Sequence, residues 1–295
     1  IEEPELYLHP HARRVISERL DDFLDGGKHQ VIVSTHSAEF TRPSSRDINL
    51  ILIRKENDAT RALNVNSREF RHLLVSEAQH EMFFADKLIV CESHNDFILR
   101  SAAKELFPGK LEAQNVSVIS VGGKKYLVQL VKLALQLGIK CFVFADFEYL
   151  LHDESDTAKE YGAKPQPHLL SLGADFFNQE CTFGSAGAKA YQFIEKLRSQ
   201  IKETNEQAFY TAKTASQLNQ ANIQQVLDRL RSNGVCILSG ELENLSKDYT
   251  FVSPYDKLTL EKVYALNQRL VDGEKITDII ATSEINDFLK VVFER

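Results

Sequence analysis

The middle of the chain alternates short apolar runs with longer amphipathic stretches. Apolar runs at 87–92, 116–121 and 140–146 are rich in Val, Ile, Leu, Phe and Cys, which is typical of buried β-strands. Between them, at 97–107 and 126–138, apolar residues recur at three- and four-residue spacing, which is typical of helices. Strands that alternate with helices of this length predict βαβ units. The expected fold class is therefore α/β, with a mainly parallel sheet flanked by helices.

The residues before this alternation predict one helix and two strands. Apolar positions at helical spacing over 10–24, followed by a Gly-Gly pair, predict the helix and its end. The segment QVIVSTHS at 30–37 predicts a short buried strand, and INLILIRK at 48–55 predicts another.

The second half of the chain predicts a helical insertion and then a return to the sheet. Apolar strands are absent from 151 to about 233, and 199–225 is rich in Asn and Gln without Gly or Pro. The strand pattern resumes with GVCILSGELEN at 234–244, and two helices are expected at 258–271 and 284–293.

Composition narrows the class of protein. The 295 residues include 35 Lys and Arg against 42 Asp and Glu, a formal charge of −7, with 43% hydrophobic residues. Such an acidic chain is not expected to coat nucleic acid by charge alone, because counterion release requires unopposed cations. No apolar run approaches the roughly 18–20 residues that span a bilayer, and no signal peptide is recognisable. Four cysteines without a CxxC pair predict free, buried thiols, so a soluble cytoplasmic protein with no membrane association is expected.

Acidic residues follow three of the predicted strands. They are Glu92, then Asp146 with Glu148, and finally Glu241 with Glu243. Ligand sites in open parallel sheets lie beyond the carboxyl ends of the strands, where such carboxylates would repel one another unless cations lay between them. Hard oxygen ligands suit Mg²⁺ or Mn²⁺, so a two-metal phosphodiester site is the resulting hypothesis. The alternative is that these acids simply mark the points where the strands meet solvent.

The motifs FFADKLIVCESHND, VISVGG and FVFADFEYLL resemble the Toprim fold of topoisomerases, bacterial primases and several nucleases. That resemblance implies that Glu92, Asp96, Asp146 and Glu148 are metal ligands, and SGELEN is similar to the later acidic motif of the nuclease branch. Ser93 stands where the family has Gly, and the usual DxD pair is DFE here.

A second motif, IEEPELYLHP, resembles the Walker B and D-loop segments of ABC-type ATPases. The resemblance implies that Glu2 holds Mg²⁺ through water and Glu3 polarises the attacking water, while His36 in VIVSTHS contacts the γ-phosphate. A solvated helix start is the alternative for EEPE alone. No GxxxxGK[ST] or LSGGQ-like sequence is present. The chain is therefore expected to hold only the C-terminal part of an ATPase head and to use ATP only together with a missing N-terminal part.

An ABC-type head that runs into a Toprim domain resembles the overcoming-lysogenisation-defect (OLD) nucleases, and the junction HEMFFADKLIVCE is especially similar. The resemblance implies metal-dependent cleavage of DNA, ATP-linked control and a homodimer. It also implies a role in phage defence or DNA repair, with a partner defence protein as a further possibility. The family carries a Lys after the last acid; Lys257 is the first choice here and Lys262 the alternative.

A glycine turn followed by two lysines offers a candidate phosphate or DNA contact. Lys124 and Lys125 follow Gly122 and Gly123, where backbone N–H groups and ammonium ions could hold a phosphate. An ordinary solvated turn is the alternative. His94, near the first acid, is interpreted as solvated or structural rather than as a substrate contact.

These patterns predict five segments and leave a second function open. The segments are the end of an ATPase head at 1–79, Toprim halves at 80–152 and 233–257, a helical insertion at 153–232 and C-terminal helices at 258–295. The alternative function is a non-catalytic regulatory or assembly module with a degenerate Toprim site that binds a partner protein or nucleic acid. Priming or topoisomerisation is disfavoured, because nothing resembles a primase zinc module or a topoisomerase tyrosine domain.

Overall fold

A computed structural model describes much of the chain outside the predicted insertion. The described residues are 1–24, 28–41, 49–56, 59–66, 77–92, 94–122, 124–151, 192, 194–197, 199–200, 203, 214–218, 223–240, 245–247 and 260–295. They form two compact units, Ile1–Ala85 and Asp86–Arg295. Most of the predicted insertion at 153–232 lies outside the described residues.

The first unit begins with the predicted helix. Helix α1 spans Pro10–Arg19 and continues as a 3-10 turn at Leu20–Phe23. Proline at the first helical position suits α1, because its missing N–H is not needed there. None of the residues of α1 is buried, and short helices follow at Ala38–Thr41 (α2) and Glu77–His80 (α3), with a 3-10 turn at Glu81–Phe84.

The predicted strand at 48–55 is confirmed, and its partner was not predicted. Strand β1, Asn49–Glu56, pairs antiparallel with β2, Ala59–Asn66, in a hairpin. Ile51 and Ile53 on β1 are 60% and 59% exposed. One face of this hairpin is therefore open to solvent.

The prediction of a buried strand at 30–37 is wrong. Within the described residues this segment makes an isolated parallel bridge between Glu2 and Ser34, and Ile32 is 72% exposed. A buried strand needs neighbours at both edges and a covered face, whereas the strand-like backbone bonds of this segment within the described residues join 32–34 to 1–3 on one side.

The second unit contains the predicted parallel sheet. Strands β3 (Lys87–Glu92), β4 (Val116–Val121), β5 (Lys140–Ala145) and β6 (Val235–Ile237) are ordered β4-β3-β5-β6, and all neighbours are parallel. The α/β fold with a mainly parallel sheet is thus confirmed. The central strands are buried on both faces, which explains their unbroken apolar runs.

Helices cover the sheet of the second unit. They are α4 (Asn95–Leu106), α5 (Lys110–Ala113), α6 (Lys124–Gln136), α7 (Glu148–Leu151), α8 (Ile223–Ser232), α9 (Leu260–Val271), α10 (Ile276–Ile279) and α11 (Ser283–Glu294), with a 3-10 turn at Ala215–Leu218. The two predicted C-terminal helices correspond to α9 and α11. Gly234, at φ +90°, makes the tight turn from α8 into β6. Among the described residues, no helix is both long enough and apolar enough to cross a membrane.

One core cluster of the second unit lies between the sheet and the helices α4, α9, α10 and α11, and α6 buries Leu127, Val131 and Leu133 against the strands as well. Phe288 on α11 lies 6.5 Å from Phe142 and 5.7 Å from Phe144, measured between ring centroids. The predicted burial of free cysteines is confirmed for Cys91, Cys141 and Cys236, while Cys181 lies outside the described residues.

Candidate functional site

Two of the predicted metal-binding acids lie at the same edge of the sheet. Glu92 is the last residue of β3, and Asp146 directly follows β5. These central strands are neighbours, with Cys91 opposite Phe144, so Glu92 is level with Ala145 and Asp146 comes one residue later. Parallel pairing therefore brings together carboxylates that are far apart in the sequence.

A third acid, Asp96, follows β3 in the first turn of α4, and its charge acts on the buried Cys91 thiol together with the charges of Glu92 and Asp146. Burial raises the pKa of the Cys91 thiol well above its ordinary value, and the negative charges of Asp96, Asp146 and Glu92 raise it further, against the opposing charge of Arg100. All three carboxylates thus act on one buried sulfur atom. Asp96 is in the first turn of α4, where the helix dipole favours an anion.

The side chains of Glu92 and Asp146 are half-buried, and part of each carboxylate is shielded from water. Each of two carboxylates has one oxygen, Oε2 of Glu92 and Oδ1 of Asp146, that is buried and accepts no hydrogen bond within the described residues, while both residues make other interactions. Asn95 is 4% exposed, and its Nδ2 atom is also buried without an acceptor there. Sequence reasoning missed Asn95, although its place between Glu92 and Asp96 was a signal.

The described part of the chain does not by itself complete a metal centre. In these residues no three His, Cys, Asp or Glu side chains form a group that could hold an ion. Glu148 begins α7, but its side chain is outside the described part, as are Glu241, Glu243 and Lys257. The donor set that is described consists of carboxylate oxygens, which is the ligand chemistry of Mg²⁺ and Mn²⁺.

The backbone leading to Glu241 is joined to the segment that carries Asp146. Leu238 N–H donates to Ala145 O at 3.0 Å, and Phe147 N–H donates to Gly240 O at 3.3 Å. These two bonds lie on either side of Asp146. They extend the β5–β6 pairing as far as the residue before Glu241.

The structure places three of the predicted lysines on two helices. Lys124 and Lys125 begin α6, directly after the turn that follows β4, and their side chains are outside the described part. Lys262 lies half-buried on α9. His94 is the residue before α4.

In the first unit, two of the predicted nucleotide-site residues meet. His36 Nε2 lies 3.5 Å from Glu3 Oε1, and Glu2 forms the bridge to Ser34. Glu3 has φ +42°, a left-handed conformation that is uncommon for a residue with a side chain. The motif thus brings an acid and a histidine together on the surface of this unit.

Glu5 organises this arrangement, and sequence reasoning missed its role. Its Oε1 atom accepts hydrogen bonds from Thr35 Oγ1 at 2.8 Å and from His36 N–H at 2.6 Å. Burial alone would raise the pKa of the Glu5 carboxyl, but these hydrogen bonds lower it below its ordinary value. Glu5 is the third acid of the EEPE motif, in which a role was predicted only for the first two acids.

Comparison with known proteins matches both units. Residues 83–147 match the family described as overcoming lysogenization defect protein-like, TOPRIM domain, and residues 1–41 match the AAA ATPase domain family. The chain is similar to the Old nuclease of Escherichia phage P2, with 25% identity over 258 residues that cover 82% of this chain and 42% of that protein. It is also similar to the OLD nuclease of Thermus scotoductus, with 31% identity over 174 residues, covering 52% of this chain and 31% of that protein.

These matches confirm the predicted resemblance to the OLD family, with an ATPase segment followed by a Toprim domain. The chain spans less than half the length of either of these two relatives.

Proposed function

We propose that this chain contributes the nuclease part of a metal-dependent DNA endonuclease or nickase of the OLD type. The observation that carries the proposal is the position of Glu92 and Asp146 at the carboxyl ends of two neighbouring parallel strands, with Asp96 in the first turn of the helix that follows β3. The names of both relatives add support, since each is called a nuclease.

The proposed site holds Mg²⁺ or Mn²⁺ through carboxylates. Glu92, Asp96 and Asp146 would be joined by Glu148 and by Glu241 or Glu243, and the chemistry of this donor set fits either ion. When bound, such ions activate water and stabilise the leaving oxygen of a phosphodiester. The chain itself would hold the ligands in place on the rigid strand ends and shield them from bulk water.

Cationic residues would contact the DNA backbone. Lys257, or Lys262 in its place, would offset the charge that develops on the phosphate, and Lys124 and Lys125 would bind a neighbouring phosphate. Local cations of this kind are needed because the chain as a whole is acidic.

ATP-linked control is proposed for the first unit. Glu2, Glu3 and His36 would act on ATP only together with the phosphate-binding loop of a complete ATPase head. A homodimer, action in phage defence or DNA repair, and a partner defence protein are further parts of this proposal, suggested by the resemblance to the OLD family. So is a cytoplasmic location.

The experiment is nicking of supercoiled plasmid with Mn²⁺, after EDTA treatment and with Mn²⁺ added back. Loss of a residue that merely supports a metal ligand costs about 10–100-fold in metal affinity or activity, so Asp146→Ala and Glu92→Ala should each reduce the nicking rate by at least about 100-fold. Asp86→Asn is the matched control, because Asp86 is an acid at the opposite, amino-terminal edge of the same sheet. Parent-like cutting by both site variants would refute the assignment.

A second candidate function is a non-catalytic regulatory or assembly module of an ATPase. The serine at 93 and the DFE sequence at 146–148, which depart from the Toprim pattern, favour it. Titration with Mn²⁺ separates the two functions: a chain that binds no Mn²⁺ but associates with DNA or a partner protein would be such a module.

A further inference from the structure

Helix α11 lies across the sheet and contacts both the amino-terminal and the carboxyl-terminal ends of its strands. At the amino-terminal edge, Lys87 Nζ donates to Val292 O at 2.8 Å, and Gln114 Nε2 donates to Phe293 O at 3.0 Å. The first turn of α11, with Glu284, lies against Ser239, beyond the carboxyl end of β6. One helix therefore joins the amino-terminal end of the sheet to its carboxyl-terminal end, where Glu92 and Asp146 lie; this end is called the acidic edge below.

Glu284 binds the backbone that leads from β6 to Glu241. Its Oε2 atom accepts hydrogen bonds from Ser239 N–H at 3.1 Å and from Ser239 Oγ at 3.0 Å. Ser239 O accepts a bond from Ala215 N–H at 2.8 Å. The N–H and C=O groups of Ser239 therefore both have hydrogen-bond partners on the side that faces away from β5.

The carboxylate of Glu284 is itself held by a buried cation. Its other oxygen, Oε1, pairs with Arg231 Nη2, and Arg231 Nη1 lies 3.1 Å from Asp228 Oδ1. The side chains of Arg231 and Glu284 are only 7% and 12% exposed. Within the described residues the Nε atom of Arg231 is buried without a hydrogen-bond partner, so the guanidinium is held by its Nη1 and Nη2 contacts. The charge-assisted contact with Nη2 restricts the position of the Glu284 carboxylate.

Ser239 lies beside Asp146, where the backbone pairing continues beyond the ends of β5 and β6. Ser239 on one strand and Asp146 on the other lie between two backbone hydrogen bonds. These bonds run from Leu238 N–H to Ala145 O and from Phe147 N–H to Gly240 O. A shift of the segment 238–240 would therefore disturb the two backbone bonds that hold the residues on either side of Asp146.

We propose that Glu284 is a positioning residue for the acidic edge, and that the Arg231–Glu284–Ser239 chain of contacts sets its affinity for divalent metal. This inference rests on the proposed function, because it assigns a metal site to that edge. Glu284 touches neither metal nor substrate and acts through the backbone of Ser239 and Gly240.

The test is Mn²⁺ binding by the full chain, measured by isothermal titration calorimetry, together with amide hydrogen exchange of a peptide covering 234–240. Because residues that support metal ligands typically contribute about 10–100-fold to metal affinity, Glu284→Gln should weaken Mn²⁺ binding by at least about 10-fold. The same change should speed exchange at Ser239 and Gly240. Glu284→Asp keeps the charge and should recover part of the affinity.

The matched control is Asp287→Asn, which removes the same charge one turn along α11 from an exposed side chain that pairs with Lys290. It should change neither Mn²⁺ affinity nor exchange. If Glu284→Gln does not fold, Ser239→Ala decides, because it removes one bond and leaves the buried ion pair intact. The inference is overturned if a folded Glu284→Gln variant binds Mn²⁺ with an affinity within twofold of the parent. Where Ser239→Ala decides, the same result for that variant overturns it.

Failure of the proposed function has a different signature. If the unaltered chain binds no Mn²⁺, both the nuclease site and its dependence on Glu284 are overturned. If it binds Mn²⁺ and Glu284→Gln binds equally well, the metal site stands and only the positioning role is lost.

Discussion

The two units of the chain are ordered by different forces. In the second unit, the strands and helices share a continuous core in which Phe142, Phe144 and Phe288 are fully buried. In the first unit, helix α1 has no buried residue, and large apolar side chains such as Tyr7 and Phe23 are exposed. Apolar burial therefore stabilises the second unit most, whereas in the described part of the first unit fewer apolar side chains are buried, Phe40, Met82 and Phe83 among them.

The candidate sites reflect the same difference. Glu92 and Asp146 extend from strands that are buried on both faces, so the sheet sets their separation. His36 has an 83% exposed side chain, and its place beside Glu3 depends on the hydrogen bonds that Glu5 accepts from the adjoining backbone and from Thr35. Substitutions of core side chains should therefore lower the stability of the second unit most. Loss of a single hydrogen bond should have its larger effect on the local order of the first unit.

The largest expected effect is on the core of the second unit. Phe288→Ala should lower the free energy of unfolding by about 3–5 kcal/mol, because it removes a fully buried ring and leaves a cavity. Phe23→Ala is the matched change in the first unit, where the ring is 58% exposed, and should alter stability by no more than about 0.5 kcal/mol. Urea unfolding followed by circular dichroism measures both.

Equal destabilisation by these two changes would contradict the comparison. It would mean that Phe23 is as well packed as Phe288, and that the first unit has an apolar core of similar quality.

The next effect concerns the hydrogen bonds of Glu5. Hydrogen bonds to a charged group contribute about 1.5–3 kcal/mol each, so Glu5→Gln should make the segment 34–37 open more readily at pH 7. Hydrogen exchange at Thr35 and His36, measured by mass spectrometry, reports this opening. Glu2→Gln, an exposed acid three residues earlier, is the control and should leave the exchange unchanged.

The pH dependence of this effect has a definite sign. The pKa of Glu5 in the folded chain is below its ordinary value of 4.5. The ionised carboxylate therefore stabilises the segment fully above pH 4.5, and this contribution is lost as the pH falls through the lowered pKa. Parent and Glu5→Gln should thus converge in acid, whereas a difference that stayed constant until the chain unfolds in acid would contradict the assignment.

The smallest effect is expected for a surface ion pair of the second unit. Arg269 Nη2 lies 2.6 Å from Glu274 Oε2, but both side chains are partly exposed. Solvent screens such pairs, so Arg269→Ala should lower the free energy of unfolding by only about 0.2–1 kcal/mol. A loss as large as that of Phe288→Ala would show that charge rather than apolar burial dominates the second unit. The same urea titrations provide the measurement.

The sheet of the second unit could be predicted because its signals are local. The apolar runs of β3, β4 and β5 and the periodic stretches between them each lie within one short segment, and together they predict parallel pairing. The acidic strand ends follow from the same pattern, since parallel strands bring their carboxyl ends to one edge.

Burial in the first unit could not be predicted in the same way. The apolar segment at 30–37 has the composition of a buried strand, yet Ile32 is exposed because burial depends on which elements lie beside it. Strand β2, with the sequence ATRALNVN, has too few apolar residues to indicate a strand by itself and is defined by its pairing with β1.

The supporting residues of both sites were missed for a related reason. Glu284 and Arg231 are 53 positions apart, and Glu5 and His36 are 31 positions apart. Their side chains have no special local pattern, because acids and arginines are common on helix surfaces. Only the packing of α8 and α11 against the end of β6 brings the first pair together.

By itself, the sequence determined the α/β class, the parallel strands of the second unit and the resemblance that relates this chain to the OLD family. These properties depend on short-range periodicity and on compact motifs, which are readable without knowledge of distant contacts. The tertiary structure decided which polar groups are buried and which residues hold the acidic edge and the Glu3–His36 pair in place. Burial and long-range pairing arise only when separate elements pack, so no local pattern encodes them.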